Sequence, residues 1–184
     1  MWTDCQIDLE TMGLPPNGAI LSVGACFFSI EREEIGPTFH MTAHLATSVR
    51  DGGVIDPATC LWWLGQSEPA RNAVRFNGFD IRKVLTDFAA FLGEHAPNNS
   101  VRPFGNGAAF DLTILSTAYQ RAGIPTPWHF SRERCFRTVR NMYPQVPYNP
   151  DEKGDGAHNA LQDAIFQARH MIAIKRAIAA ARNG

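Results

Sequence analysis

Hydrophobic and polar positions change period several times along the chain. The first stretch, residues 3–9, alternates and reads as a strand, with Cys5, Ile7 and Leu9 on one face. Asp8 and Glu10 project together from the other face at its end. Residues 19–30 are nearly all apolar, the mark of a central strand covered on both sides. The turn between the two, Met12 to Gly18, holds Gly13, Pro15, Pro16 and Gly18. A weaker strand over residues 37–42 would close a meander. Asp56 followed by Pro57 predicts a capped helix start. Helical periodicity then appears over residues 81–94, where Val84, Leu85, Phe88, Phe91 and Leu92 form one stripe.

Further along, residues 101–104 read as a short strand and residues 109–122 as a helix. A second short strand falls near residues 132–135 and a helical turn at 138–143. Residues 144–156 are rich in Pro, Asp and Gly and form a loop. The last helix covers residues 158–182, with Leu161, Ile165, Ala168, Met171 and Ile172 at core spacing. Three strands followed by alternating helices and strands predict an α/β chain with a mixed sheet flanked by helices.

Composition narrows the class. The 184 residues are enough for one domain with a real core, and 45% hydrophobic against 19% charged is an ordinary globular balance. The net charge of -1 provides no global basic field, which argues against a non-specific duplex binder. Cys5, Cys26, Cys60 and Cys135 are widely spaced and form neither a zinc motif nor a disulfide framework, so reduced thiols in a cytoplasmic protein are expected. No apolar run reaches the roughly 18 residues of a membrane helix. Acids at positions 8 and 10 interrupt the place where a signal peptide needs its apolar core.

The candidate chemistry is acidic. Two carboxylates side by side on a strand repel unless a proton or a cation lies between them, and a hard divalent metal with oxygen ligands meets that need. Asp111 falls on the same helical face as Leu115, Ala118 and Ala122, a charge on a core-facing stripe. A favourable helix dipole explains an acid at a helix start but not on the apolar face. Asp163 is not singled out by periodicity and reads by itself as a solvated helical acid. If both were helical, His158 and Asp163 would be about 140° apart around the axis; with His158 in the preceding loop, both reach one pocket. The glycines around Asn106 do not form a dinucleotide fingerprint, since Phe110 stands in the third glycine's place. Neither a serine-hydrolase elbow nor a zinc-protease helix motif occurs.

Asp8-x-Glu10 on the first strand, Phe110-Asp111 at a mid-chain helix and His158-x4-Asp163 near the end occur in a fixed order. This order resembles the DEDDh, or DnaQ-like, 3′–5′ exonucleases of ribonuclease H-like fold. Residues 8–13, Trp62-Trp63-Leu64-x-Gln66 and Arg137-Thr138 are similar to the bacterial ribonuclease AS branch and related phage exonucleases. The resemblance spans nearly the whole chain and implies a central mixed five-stranded sheet in a single exonuclease domain. It implies two Mg²⁺ ions, replaceable by Mn²⁺, held by Asp8, Glu10, Asp111 and Asp163, with Asp8 bridging and Asp111 acting through metal-bound water. His158 would be the general base. The expected partner is a single-stranded RNA 3′ end, with DNA as the alternative, and the branch's habit of dimerising makes a homodimer plausible.

Substrate contacts remain open between two readings. Thr59, Trp63 and Gln66 would share a helical face, with Trp63 either stacking on a base or filling core and Trp62 in the core. Met12 and Gly13 would let the terminal nucleotide approach the backbone. Arg137 would hold phosphate or a structural carboxylate. The chain departs from the branch at Pro103-Phe104, where an aliphatic residue and Trp are usual, and at Arg134-Cys135, where an acid is common. A non-catalytic binding module on this fold is the rival of a different class; the complete acid set argues against it.

Overall fold

The structure is a computed structural model and describes residues 1–75, 78–98, 100–107, 109–149 and 158–183. Part of the expected 144–156 loop lies outside them. Strands β1 (Asp4–Thr11), β2 (Ile20–Ser29) and β3 (Glu34–Thr42) form an antiparallel meander. Helices α1 (Leu45–Arg50), α2 (Pro57–Leu64), α3 (Glu68–Arg75) and α4 (Ile81–His95) follow. Strand β4 (Arg102–Gly105), helix α5 (Asp111–Ala122), a 3-10 turn at Phe130–Arg132, strand β5 (Arg134–Cys135), helix α6 (Phe136–Met142) and helix α7 (Ala160–Asn183) complete the order. The sheet runs β3-β2-β1-β4-β5, with β4 and β5 parallel to β1. Mixed five-stranded order with flanking helices matches the architecture read from the chain.

Strand β1 lies at the centre and separates two apolar layers. Cys5, Ile7 and Leu9 join Phe27, Phe88, Leu112 and Leu115 in the larger core. On the other face, Cys26, Phe28 and Phe104 pack with Phe136, Ala164, Ala168 and Met171 under α6 and α7. Local signals set the helix ends. Asp56 caps α2 by accepting from the Thr59 amide at 2.7 Å, with Pro57 as the first helical residue. Asp80 caps α4 through the Arg82 amide, and Gly123 ends α5 at φ 68°, a left-handed stop that glycine adopts without strain.

Several elements differ from the sequence pattern. Helix α3 carries Ala70, Ala73 and Val74 on one side, but these side chains are small and only Ala70 is buried, so its stripe is short and weakly apolar. The six-residue α1 is too short for periodicity to register. Strand β3 starts at Glu34, ahead of the apolar run. Helix α7 starts at Ala160, which leaves His158 in the preceding turn at φ 61°. Among the described residues no helix is long and apolar enough to cross a membrane.

One backbone contact sets the depth at which α7 docks. Gly24 pairs with Asp8 across β1 and β2, and a Cβ there would lie 2.1 Å from the Ala160 carbonyl carbon and 2.2 Å from the Leu161 nitrogen. Only a glycine lets the start of α7 touch the sheet, and that contact brings the first turn of α7 level with Asp8. Gly24→Ala is therefore expected to push α7 outward and to destabilise the protein by about 1–3 kcal/mol, as overpacking does. Urea unfolding of the two proteins checks it, and an unchanged midpoint contradicts the close contact.

Candidate active site

The C-terminal half of β1 and the first turn of α7 deliver three acids to one place. Oxygens of Asp8, Glu10 and Asp163 lie within 4.8 Å of one another. Glu10 is 7% exposed and Asp163 8%, so this is not an acidic patch dissolved in solvent. Burial holds the Asp8 carboxyl well above the usual carboxylate range, and the charges of Asp111, Glu10 and Asp163 raise it further. A hydrogen bond from Gln167 Nε2 to Asp8 Oδ1, 2.8 Å long, works in the opposite direction. Three mutually repelling carboxylates in a partly dry pocket fit a hard divalent cation with oxygen ligands.

Asp111 plays a different structural part. Its Oδ1 accepts from the Leu9 amide at 3.2 Å and its Oδ2 from the Asn106 amide at 2.8 Å. Ladder pairing of β1 with β4 ends at Gln6 and Phe104, and the Asp111 side chain continues the bridge between the two segments where the strands diverge. It is 3% exposed. Burial raises its carboxyl to about 6, against the pull of those amides and of the Arg137 charge. The structure thus gathers Asp8, Glu10 and Asp163 into one cluster and seats Asp111 beside Asp8, with both its oxygens engaged by backbone amides.

Two glutamines belong to the site although neither carries a charge that marks it in the sequence. Gln6 Nε2 donates to Gln167 Oε1 at 2.7 Å and to the Phe104 carbonyl at 3.1 Å, which fixes the amide that holds Asp8. Both were within reach of periodicity. Gln6 lies two residues before Asp8 on the same strand face, and Gln167 lies one helical turn after Asp163 on a stripe with Ala164 and Ala168.

His158 stands at the other wall of the site. Its ring meets Trp62 edge-on, centroids 4.8 Å apart at 88°, and lies 6.3 Å from Trp63. Of the two readings open for Trp63 the structure takes the core one, and Trp62, expected in the core, is turned outward. Trp63 is buried, 4% exposed, and its Nε1 donates to the Thr11 carbonyl at 2.9 Å. Trp62 is 46% exposed. The reason is the docking of α2, which fastens Trp63 to the end of β1 and turns its neighbour outward.

A cleft of about 230 Å³ opens beside Glu10, lined also by Gly13, Thr59, both tryptophans and, unforeseen, Leu14 and Phe110. Met12 is not part of it; its side chain packs with Leu21 and Trp63 behind the cleft. Gly13 does line it, but the tight neighbour of its missing Cβ is the Val54 carbonyl at 2.2 Å, so internal packing already requires the glycine. Gln66 falls beyond the end of α2 and donates to the Trp62 carbonyl at 3.1 Å, away from the cleft. Arg137 Nη2 donates to the Asn106 carbonyl at 2.7 Å, supporting the turn that holds Asp111. Tyr148 lies close to the acids on the α6 side: burial first, then the charge of Asp163, pushes its hydroxyl up to about 12.

A mixed sheet whose central strand carries two acids, with a third acid from the last helix, a fourth from a mid-chain helix and a histidine before that last helix, defines the DEDDh class of 3′–5′ exonucleases. No curated protein matches the chain by sequence. The chain belongs to the family of the 3'-5' exoribonuclease Rv2179c-like domain, whose model matches residues 3–175. Among solved structures, exonuclease I is similar with a TM-score of 0.66 at 14% identity, over 99% of this chain and 44% of the other. E. coli exonuclease I in complex with a dT13 oligonucleotide gives 0.62 at 18% identity, over 97% of this chain and 41% of the other. The nuclease domain of 3'hExo, a DEDDh family member bound to rAMP, gives 0.57 at 15% identity, over 95% and 92%. At these identities the likeness is one of fold, and the chain spans less than half the length of exonuclease I.

The raised Asp111 carboxyl has a sign that can be measured. An acid whose folded pKa exceeds its unfolded value favours the fold at low pH, and that contribution is lost as pH rises through the folded value. With Asp111 moving from 3.8 to about 6, metal-free protein is expected to lose on the order of 3 kcal/mol between about pH 4 and pH 6.5. Chemical denaturation in chelator at several pH values reads the slope. Asp111→Asn should remove its share of the decline, and excess Mg²⁺ should oppose the remainder.

Proposed function

We infer that the protein is a metal-dependent 3′–5′ exonuclease acting on single-stranded ends, RNA before DNA. The observation that carries the reading is the convergence of Asp8, Glu10 and Asp163 within 4.8 Å beside an open cleft. In this reading Asp8, Glu10 and Asp163 hold two divalent cations, Mg²⁺ or Mn²⁺, and Gln167 keeps Asp8 oriented. Such ions supply charge neutralisation at the phosphate, an activated water and stabilisation of the leaving oxygen. His158 takes the proton of the attacking water as the general base. The proton returns to the leaving 3′-oxygen from solvent, and a nucleoside 5′-monophosphate departs. Asp111 keeps the strand ends together through its two amide contacts and, next to Asp8, would act on the cations through metal-bound water.

The preference for RNA draws support from the exoribonuclease description of the family. A second reading, the same chemistry on DNA, is favoured by the dT13 oligonucleotide held in the similar E. coli exonuclease I structure. Reading RNA over DNA requires a contact to the 2′-hydroxyl; Glu10 lines the cleft and makes that contact in this reading, whereas Met12 and Gln66 lie outside it. The experiment compares 5′-labelled single-stranded RNA and DNA of one sequence in Mg²⁺, Mn²⁺ or EDTA. A ladder shortening from the 3′ end, abolished by EDTA and by Asp163→Asn, is expected. His158→Ala should cost about 10²–10⁴-fold in kcat, the usual worth of a positioned base. Folded wild-type protein that cleaves neither strand overturns the reading in favour of a binding module.

The exposed indole of Trp62 is the stacking surface for the terminal base, a contact worth about 1–3 kcal/mol. Trp62→Ala is thus expected to raise KM roughly tenfold or more. Trp63→Phe, which removes the bond to the Thr11 carbonyl, should cost about 1 kcal/mol of stability. Steady-state kinetics and thermal melts of the pair separate the roles, and the opposite assignment of effects would reverse them.

A further inference from the structure

A cleft of about 230 Å³ is smaller than the roughly 300–1,000 Å³ that drug-sized ligands occupy. It suits a terminal residue and leaves the rest of a strand on the surface. With a net charge of -1, long-range attraction does not hold that strand, so any phosphate site must come from a local cluster. Between Phe130 and Met142 stand Arg132, Arg134, Arg137 and Arg140 against one acid, Glu133.

That cluster is not neutralised by described carboxylates. Many cations elsewhere are paired: Arg50 with Asp80, Arg82 with Asp51, Arg102 with Asp4, Lys175 and Arg176 with Glu33; Arg71 and Arg121 donate to neutral acceptors but stand singly. Glu133 instead accepts from Trp128 Nε1 at 2.9 Å. Arg134 donates to the Ser131 and Glu133 carbonyls, Arg137 to the Asn106 carbonyl and Arg140 to Asn141 Oδ1. All these acceptors are neutral, and among the described residues none of the three arginines has an ion-pair partner.

Their placement follows the acids. Arg137 and Arg140 are three apart on α6 and share a face. Arg137 grips the turn whose Asn106 amide holds Asp111. The Arg140 guanidinium lies 4.9 Å over the Tyr148 ring, and Tyr148 feels the charge of Asp163. Arg134 extends the line along edge strand β5, opposite Phe104.

We propose that Arg134, Arg137 and Arg140 form the track that binds the phosphates of a single strand on the 5′ side of the scissile bond. The proposal rests on the exonuclease reading above. Guanidinium forks match phosphate oxygens in pairs and keep their charge at any working pH. The track makes long substrates better than short ones and makes that advantage sensitive to salt.

The test measures kcat/KM, at substrate below KM, for a dinucleotide and a long single-stranded oligonucleotide with the same 3′ end, across a salt series. Arg134→Gln with Arg140→Gln is expected to flatten the salt slope on the long substrate by about 1.4, from about 0.7 per phosphate contact. The long-to-short ratio should narrow with it. Arg134→Lys with Arg140→Lys should restore most of the slope, because charge rather than a structural bond is at work. Lys175→Gln with Arg176→Gln, a charge-matched change at Glu33, should leave slope and ratio as they are. An active double glutamine variant with the wild-type slope and ratio overturns the track. So does a lysine pair that behaves like the glutamine pair. Wild-type protein that cleaves neither substrate overturns the exonuclease reading itself, a result distinct from either.

Discussion

Mutual repulsion of carboxylates on one side of a central strand is the condition to which the rest of the molecule answers. Asp8 and Glu10 share a face because a strand alternates, and that face is covered by α7 rather than by water. The helix brings a further acid to them, Asp163. Close approach is possible because Gly24 sits opposite Asp8 and presents no side chain. Packing therefore works against electrostatics at this point. The apolar layers on either side of β1, with Phe27 and Phe88 above and Phe136 and Met171 below, supply the stability that holds the acids together.

The compensations are polar and sparse. Gln167 gives Asp8 one hydrogen bond, and Gln6 keeps Gln167 from turning away. Asp111 spends its oxygens on two main-chain amides that the diverging strands leave without ladder partners. That arrangement serves the backbone and the charge cluster together: the acid satisfies buried donors, and its position beside Asp8 raises the demand for a cation.

Much of this was legible in the chain, for physical reasons that also mark where legibility stopped. Alternation exposed the Asp8 and Glu10 pair, and a charge on an apolar stripe exposed Asp111, because both signals are local in sequence. The α4 stripe and the Asp56-Pro57 start were equally local. The fate of Trp62 and Trp63 was not, since neighbouring helical residues differ by about 100° and only the bond from Trp63 to the Thr11 carbonyl settles which one turns inward. Gln66 was placed on a helix that ends before Gly65. Met12 faced the wrong way for the same kind of reason: its neighbours come from β2 and α2, far off in sequence. Helix α3 has a stripe of Ala70, Ala73 and Val74, but it is only eight residues long and its apolar side chains are small. Gln6 and Gln167 lie on the same faces as the acids, but a neutral amide on a buried face is a weaker signal than a charge.

The acids and the histidine are held by different means. Asp8, Glu10 and Asp163 are set in the sheet and in the long helix, where movement would disturb two apolar layers. His158 sits in a left-handed turn residue, a conformation that costs a non-glycine residue energy, and its described contacts are ring edges against Trp62 and Trp63. An anchorage of that kind can be released and remade without touching the cation-binding acids. In the proposed mechanism, occupancy and turnover thereby become separable properties, one governed by the rigid frame and the other by the posture of a single ring against an indole at the mouth of the cleft.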